Sequence, residues 1–146
     1  MLARHLTATV IRSIAALAIL ACAGTFAQAV TITVTGTADV IDPNDGVCTL
    51  REAIRTTHGD AGDCVEPSEN RRPHDIILPA GTYVLTIPGT MEYDALTGDL
   101  NIPERSIVTI TGAGRDLTVI DGNGLDRVLM IFPYTEVEIS GVTITG

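Results

Sequence analysis

Apolar residues and threonines alternate with period two along Val30-Thr-Ile-Thr-Val-Thr-Gly36, which predicts a strand with one face buried and one wet. Similar runs return after residue 75. Asp75-Ile-Ile-Leu-Pro-Ala-Gly-Thr-Tyr-Val-Leu-Thr-Ile87 predicts two strands around a Pro-Ala-Gly turn, and residues 88–97 a polar insertion. Residues 98–102, 106–111, 117–120, 127–132 and 136–145 then read as further strands, each closed by Gly, Asn, Asp or Pro.

One stretch breaks this rhythm. Gly46-Val-Cys-Thr-Leu-Arg-Glu-Ala-Ile54 follows the turn residues Asp42-Pro-Asn-Asp-Gly46 and reads as the start of a helix. Thr49 and Glu52 have the spacing of a capping box, in which the hydroxyl accepts an orphan backbone N–H and the carboxylate accepts the N–H of the capping residue. Leu50, Ala53, Ile54 and Thr57 share one face at helical spacing, and Gly59 stands where a helix C-terminus wants glycine. The spacing predicts a helix over 50–58, too short to be stable unless its apolar stripe lies on something. Residues 59–74 are polar and rich in breakers, hence a surface loop.

The strand runs resemble one another. Val108-Thr-Ile-Thr-Gly112 recurs as Val142-Thr-Ile-Thr-Gly146, and Val137-Glu-Ile-Ser-Gly141 is a third near copy. Connectors of the two-residue hairpin type are scarce, so the strands are expected to be parallel, with equivalent strands of successive coils stacked, Val and Ile inward and Thr and Glu outward. A β-sandwich has the same composition and stays open at this point. The final run has no polar cap behind it, so residues 75–146 read as the first two to four coils of something longer.

Composition adds a compartment. The chain has 146 residues, and its first 29 combine Arg4 and Arg12, the ten-residue apolar run 14–23 and Ala27-Gln-Ala29. That is the layout of an export signal cut between Ala29 and Val30, with Ala27 and Ala29 as the small residues read by the peptidase. The apolar run is shorter than the roughly 20 residues that span a bilayer, so no transmembrane span is expected in the mature chain. A signal anchor and a lipidated Cys22 are the rival readings. Without the leader, seven arginines face 18 acids, a balance of −11, and there is no lysine. Such a surface argues against nucleic acid and anionic membranes as partners. Export leaves Cys48 and Cys64, most simply a disulfide in an oxidising compartment; two free thiols or half of a metal site are the alternatives, with His58 and His74 the nearest candidates for further ligands.

Taken in order, the blocks "DGVCTLREAI", "HDIILPAGTYVLTI", "TGDLNI", "VTITGAGRDLTVIDGNGLDRVLMI" and "VEISGVTITG" resemble the N-terminal region of bacterial exported CSLREA-domain proteins. Thr49 replaces the serine of the family motif and keeps its capping hydroxyl. The resemblance covers nearly all of residues 30–146. It implies an all-β fold: a right-handed parallel β-helix of the pectin-lyase-like kind, with one short N-terminal capping helix. The expected organisation is a signal at 1–29, a cap at 30–74 and β-helix coils at 75–146. Leu50, Ala53 and Ile54 are expected to form a lid over the core, with Arg51, Glu52 and Arg55 facing water.

No catalytic constellation is legible. Asp116, Asp121, Asp126 and Arg127 are the candidates for carboxylates converging beside an arginine, but Asp, Asn and Gly are also what turns between coils require. Asp42-Pro-Asn-Asp45 lacks the spacing of a calcium loop. Tyr83, Tyr93, Phe132 and Tyr134 are too scattered to form a sugar-stacking platform by sequence alone. The expected role is structural or adhesive, at the cell surface or outside the cell, without cofactor or metal, and with extracellular polysaccharide or a surface protein as partner. The alternatives are the front of a carbohydrate-active lyase or hydrolase, or a glycan- or protein-binding module. Two outward Asp on adjacent coils beside an Arg would favour the enzyme.

Overall fold

Short alternating runs give short strands, and the computed structural model, which describes residues 28–60, 62–64 and 73–146, arranges them in three parallel sheets. Residues 1–27 of the expected leader, with Ala27 and Cys22, lie outside the described residues, as do positions 61 and 65–72 of the 59–74 loop. The elements are β1 (Val30–Thr33), α1 (Leu50–Thr56), β2 (His74–Leu78), β3 (Gly81–Val84), β4 (Leu100–Ile102), β5 (Ile107–Gly112), β6 (Thr118–Asp121), β7 (Leu129–Ile131), β8 (Glu136–Ser140) and β9 (Thr143–Thr145).

The first sheet runs β1-β2-β5-β8, the second β3-β6-β9 and the third β4-β7, every pair parallel. From β2 onward the chain visits first, second and third sheet in turn and begins again. Parallel pairing places like residues side by side. Ile32, Ile76, Ile110 and Ile139 form one column of the first sheet; Tyr83, Ile120 and Ile144 form one of the second; Ile102 pairs with Ile131 in the third. These columns supply the apolar core, in which Ile32, Ile76, Ile102, Ile110 and Ile120 have no solvent exposure. The residues between them turn outward, as Thr31 and Thr33 do on β1.

Two expectations are corrected in register. The sequence likeness of 108–112 to 142–146 suggests equivalent strands, but Val108 pairs with Val137, while Ile144 pairs with Ile120 of the second sheet. The run 136–145 is also two strands. Gly141 divides it: its φ is +66°, and a Cβ there would meet the carbonyl oxygen of Gly112 at 2.4 Å. Short Val-Thr-Ile repeats report burial on alternate sides, not which sheet a strand joins.

The helix α1 forms where the capping box predicts. Glu52 N–H donates to Thr49 Oγ1 at 3.3 Å, and Thr49 N–H donates to Glu52 Oε2 at 3.0 Å. The helix packs against β4, whose far edge carries no strand among the described residues. Leu50, Ala53 and Ile54 join the same apolar cluster as the strand columns. Arg51 and Glu52 are not the solvated face expected of them: they are 1% and 5% exposed. The helix is enclosed on nearly every side.

Candidate functional site

Two polar structures lie around α1, and both use the insertion at 88–97. The first is the enclosure of Arg51. Its Nε donates to Asp39 Oδ1 at 2.5 Å and Nη2 to Asp39 Oδ2 at 3.1 Å, a bidentate pair fully out of solvent. The remaining donors reach the carbonyls of Ala95 and Gly98 at 3.1 and 2.9 Å. Asp39 Oδ2 also accepts the backbone N–H of Thr86 and Ile87. Burial pushes the Asp39 carboxyl up, but the Arg51 and backbone hydrogen bonds and the Arg51 charge together hold it below the usual carboxylate value. Glu52 completes the frame by accepting Asp42 N–H at 2.8 Å. Thr49, Arg51 and Glu52 thus all tie the helix to the 39–42 segment, and of the three Arg51 alone also reaches the 88–97 insertion and Gly98.

Cys48 and Cys64 form the expected disulfide, fixing the residue before the helix cap to the loop beyond it. Cys48 is also bound to the first strand's extension, since Thr35 and Gly36 both donate to its carbonyl. With this bond formed, no free thiol remains among the described residues.

The second structure is a groove of about 350 Å³ lined by His58, Tyr93, Asp94, Pro103, Glu104 and Phe132. His58 comes from the turn after α1, Tyr93 and Asp94 from the insertion, Pro103 and Glu104 from the end of β4, and Phe132 from the end of β7. Register explains the last two: Ile102 pairs with Ile131, so the residues that follow, Pro103 and Phe132, are neighbours. Tyr93 and Phe132 meet edge to face, ring centres 5.7 Å apart and planes at 83°. His58 Nε2 lies 2.7 Å from the Asn101 carbonyl, which can only accept, so Nε2 carries a proton and donates it there. Its Nδ1 is 3.9 Å from Asp94 Oδ1. The scatter of Tyr93 and Phe132 along the sequence therefore hides a contact that the strand register creates. Tyr83 instead is core and donates to Pro79 O, and Tyr134 is exposed with φ +60°.

The carboxylate candidates do not converge as a group. Asp116 is exposed and paired with Arg115, and Asp121 accepts the Asn123 N–H inside its own turn. Asp126 and Arg127 do meet, joined by Asp99, which the sequence did not single out: Arg127 Nε donates to Asp99 Oδ2 at 2.9 Å, and its Nη2 is 3.7 Å from Asp126 Oδ2. Asp99, ahead of β4, and Asp126-Arg127, ahead of β7, precede paired strands; aligning those two runs by register is the signal that finds Asp99. Hydrogen bonding and charge from Asp99, then the charge of Asp126, raise the Arg127 pKa. Among the described residues no three His, Cys, Asp or Glu side chains are grouped to hold a metal ion, and no helix is long and apolar enough to cross a membrane.

Compared with protein-family models, curated proteins and solved structures, the chain matches none.

Proposed function

We propose that this chain is the capped front of a right-handed parallel β-helix of the CSLREA type, exported, and serving as a structural or adhesive element at the cell surface or outside the cell. The observation that carries the reading is the ordered return of the chain to three parallel sheets, which stacks Ile32, Ile76, Ile110 and Ile139 in one column. Parallel crossovers within a sheet are right-handed in the great majority of proteins, which supplies the hand. Leu50, Ala53 and Ile54, buried beside the edge of β4 that carries no strand among the described residues, suit a lid that keeps that end of the stack from pairing with other chains. The leader pattern, the acidic balance and the Cys48–Cys64 bond all suit an oxidising compartment outside the cytoplasm.

The cluster of Asp99, Asp126 and Arg127 on adjacent coils is the one feature that favours the alternative, the front of a carbohydrate-active enzyme. Asp99 is buried and bound to Arg127, which leaves that carboxylate no free face for a substrate; the cluster suits a clamp between coils better than an acid–base pair.

The test is expression of the whole chain, leader included, in a bacterial host. The exported form is expected to begin at Val30 and to be lighter by the two hydrogens of one disulfide. Cells displaying it are expected to adhere to glycan- or protein-coated surfaces more than cells exporting an unrelated protein, and polysaccharides incubated with it to gain no new chain ends. An uncleaved cytoplasmic product, or new chain ends, would overturn the reading.

A further inference from the structure

Tyr93 is 57% exposed beside a second aromatic ring, in a groove whose other groups mostly accept hydrogen bonds. An edge-to-face contact covers one of the four faces of a ring pair, so Phe132 does not use up the Tyr93 ring. The carboxylates of Asp94 and Glu104 have no donors to offer, and Glu104 already accepts one hydrogen bond, from Arg105 Nη1 at 3.1 Å. A ligand that fits must bring an apolar face for the ring and several O–H donors for the rim. Pyranose rings have that construction: axial C–H bonds with partial positive charge on one face, suited to the negative face of an aromatic ring, and hydroxyls around the edge.

We propose that the groove between the end of α1, the 88–97 insertion and the ends of β4 and β7 is a binding subsite for an uncharged saccharide, with Tyr93 as its stacking platform and the carboxylates of Asp94 and Glu104 as acceptors for sugar hydroxyls. The Asp94 carboxylate at the rim, on a chain with twice as many acids as bases, opposes a polyuronate or sulfated chain, while the charge of Glu104 is offset by its pair with Arg105. Hydrogen bonds from hydroxyls to ionised acceptors are the stronger kind, so a neutral sugar gains most here. A volume of about 350 Å³ is at the small end for ligand sites, and suits one or two sugar units of a chain that continues along the surface.

The platform is held in place before any ligand arrives. Glu92 accepts the backbone N–H of Asp94 at 2.9 Å, Leu96 at 3.1 Å and Thr97 at 3.3 Å, while its carbonyl accepts from Asn101 Nδ2 at 3.3 Å. Met91 and Ala95, flanking Tyr93, both have φ near +60°, at +61° and +54°. Non-glycine residues held in this region cost energy that the surroundings must offset, and such strain gathers where a side chain has to be presented in one place. A fixed platform avoids the ordering cost that a mobile loop would incur on binding.

This inference deepens the adhesive reading and rests on it for where the ligand is met. It is tested with the full, disulfide-intact chain by affinity electrophoresis and titration calorimetry against dextran, galactomannan and xyloglucan, with polygalacturonate and chitosan as charged comparators. At least one neutral polymer is expected to bind, Tyr93→Ala to weaken it about tenfold or more, and Tyr93→Phe to stay within about twofold of the parent. The pair Asp94→Asn with Glu104→Gln, both exposed, is expected to weaken binding several-fold with an unchanged melting temperature, which keeps the test independent of folding. No binding to any neutral polymer, stronger binding to polygalacturonate or chitosan, or a Tyr93→Ala variant equal to the parent would each overturn the subsite. Failure of binding by a correctly exported chain removes the subsite alone; binding by a chain that is not exported removes the extracellular reading alone.

Discussion

The two ends of the strand stack carry the same kinds of residue and are finished differently. At the β1 end, Ile32, Ile76 and Ile102 have no exposure, and α1 lies against β4 with its own Leu50, Ala53 and Ile54 buried among them. At the other end, Ile144 is 43% and Ile131 48% exposed, with Ile139 half-buried, and no described residue covers them. The columns are continuous: Ile144 follows Ile120, and Ile131 follows Ile102. Among the described residues, the alternating Val-Thr-Ile pattern adds rows to these columns. Closure at the first end comes from sequence that does not repeat: the capping box, the buried Arg51 and Glu52, the disulfide and the 88–97 insertion.

If that contrast is right, damage should be costly at the closed end and mild at the open one. The largest effect is expected from Arg51→Met, which leaves the Asp39 carboxylate buried without its cation; removing one partner of such a pair typically costs about 3–5 kcal/mol. Urea unfolding of parent and variant measures it, and equal midpoints would show that the enclosure of α1 contributes nothing. The same pair sets an acid dependence. The Asp39 carboxyl is lowered in the fold, so the unfolded chain binds the extra proton first and the pair's contribution, complete above the ordinary carboxylate value of about 4, is lost as pH falls through the lower folded value. The gap between parent and Arg51→Met is expected to narrow below about pH 4; a gap constant with pH would place the loss elsewhere, in packing.

Next comes the disulfide. Replacing Cys48 and Cys64 together by Ser opens a loop of sequence separation 16, for which chain entropy gives about 3 kcal/mol. Thermal melts of the parent with and without reductant should reproduce that loss, and a reductant-insensitive melt would remove the bond from the account of closure.

The smallest effect sharpens the comparison. Ile120 and Ile144 occupy one column, yet Ile120→Ala is expected to cost about 2–5 kcal/mol as a core truncation, and Ile144→Ala only about 0.5 kcal/mol as a surface change. Matched denaturation curves for the two variants decide it: similar losses would mean that the open end is covered in solution.

How much of this was legible follows from the reach of each signal. Period-two alternation located the strands, because burial on one face is a local property of a chain that turns each side chain opposite to the last. The capping box placed the start of α1, because its hydrogen bonds close within four residues. Arg51 and Glu52 were misread as solvated because a charge in isolation belongs in water; only Asp39, twelve residues away, and the carbonyls of Ala95 and Gly98 make its burial affordable. The groove went unread for a similar reason. Tyr93 and Phe132 are 39 positions apart and meet because the Ile102–Ile131 register sets Phe132 beside Pro103 while Glu92, hydrogen-bonded to Asn101, holds the insertion there, an arrangement that no local pattern encodes.

The sequence by itself determined which strand residues turn inward, where the helix starts and which cysteines were available to pair. Tertiary structure alone decided which strand lies beside which, since Val-Thr-Ile repeats are interchangeable until glycines such as Gly141, with φ +66°, assign them to sheets. It also decided where charge is buried and where aromatic rings meet, because both depend on distances that only the stacked chain fixes.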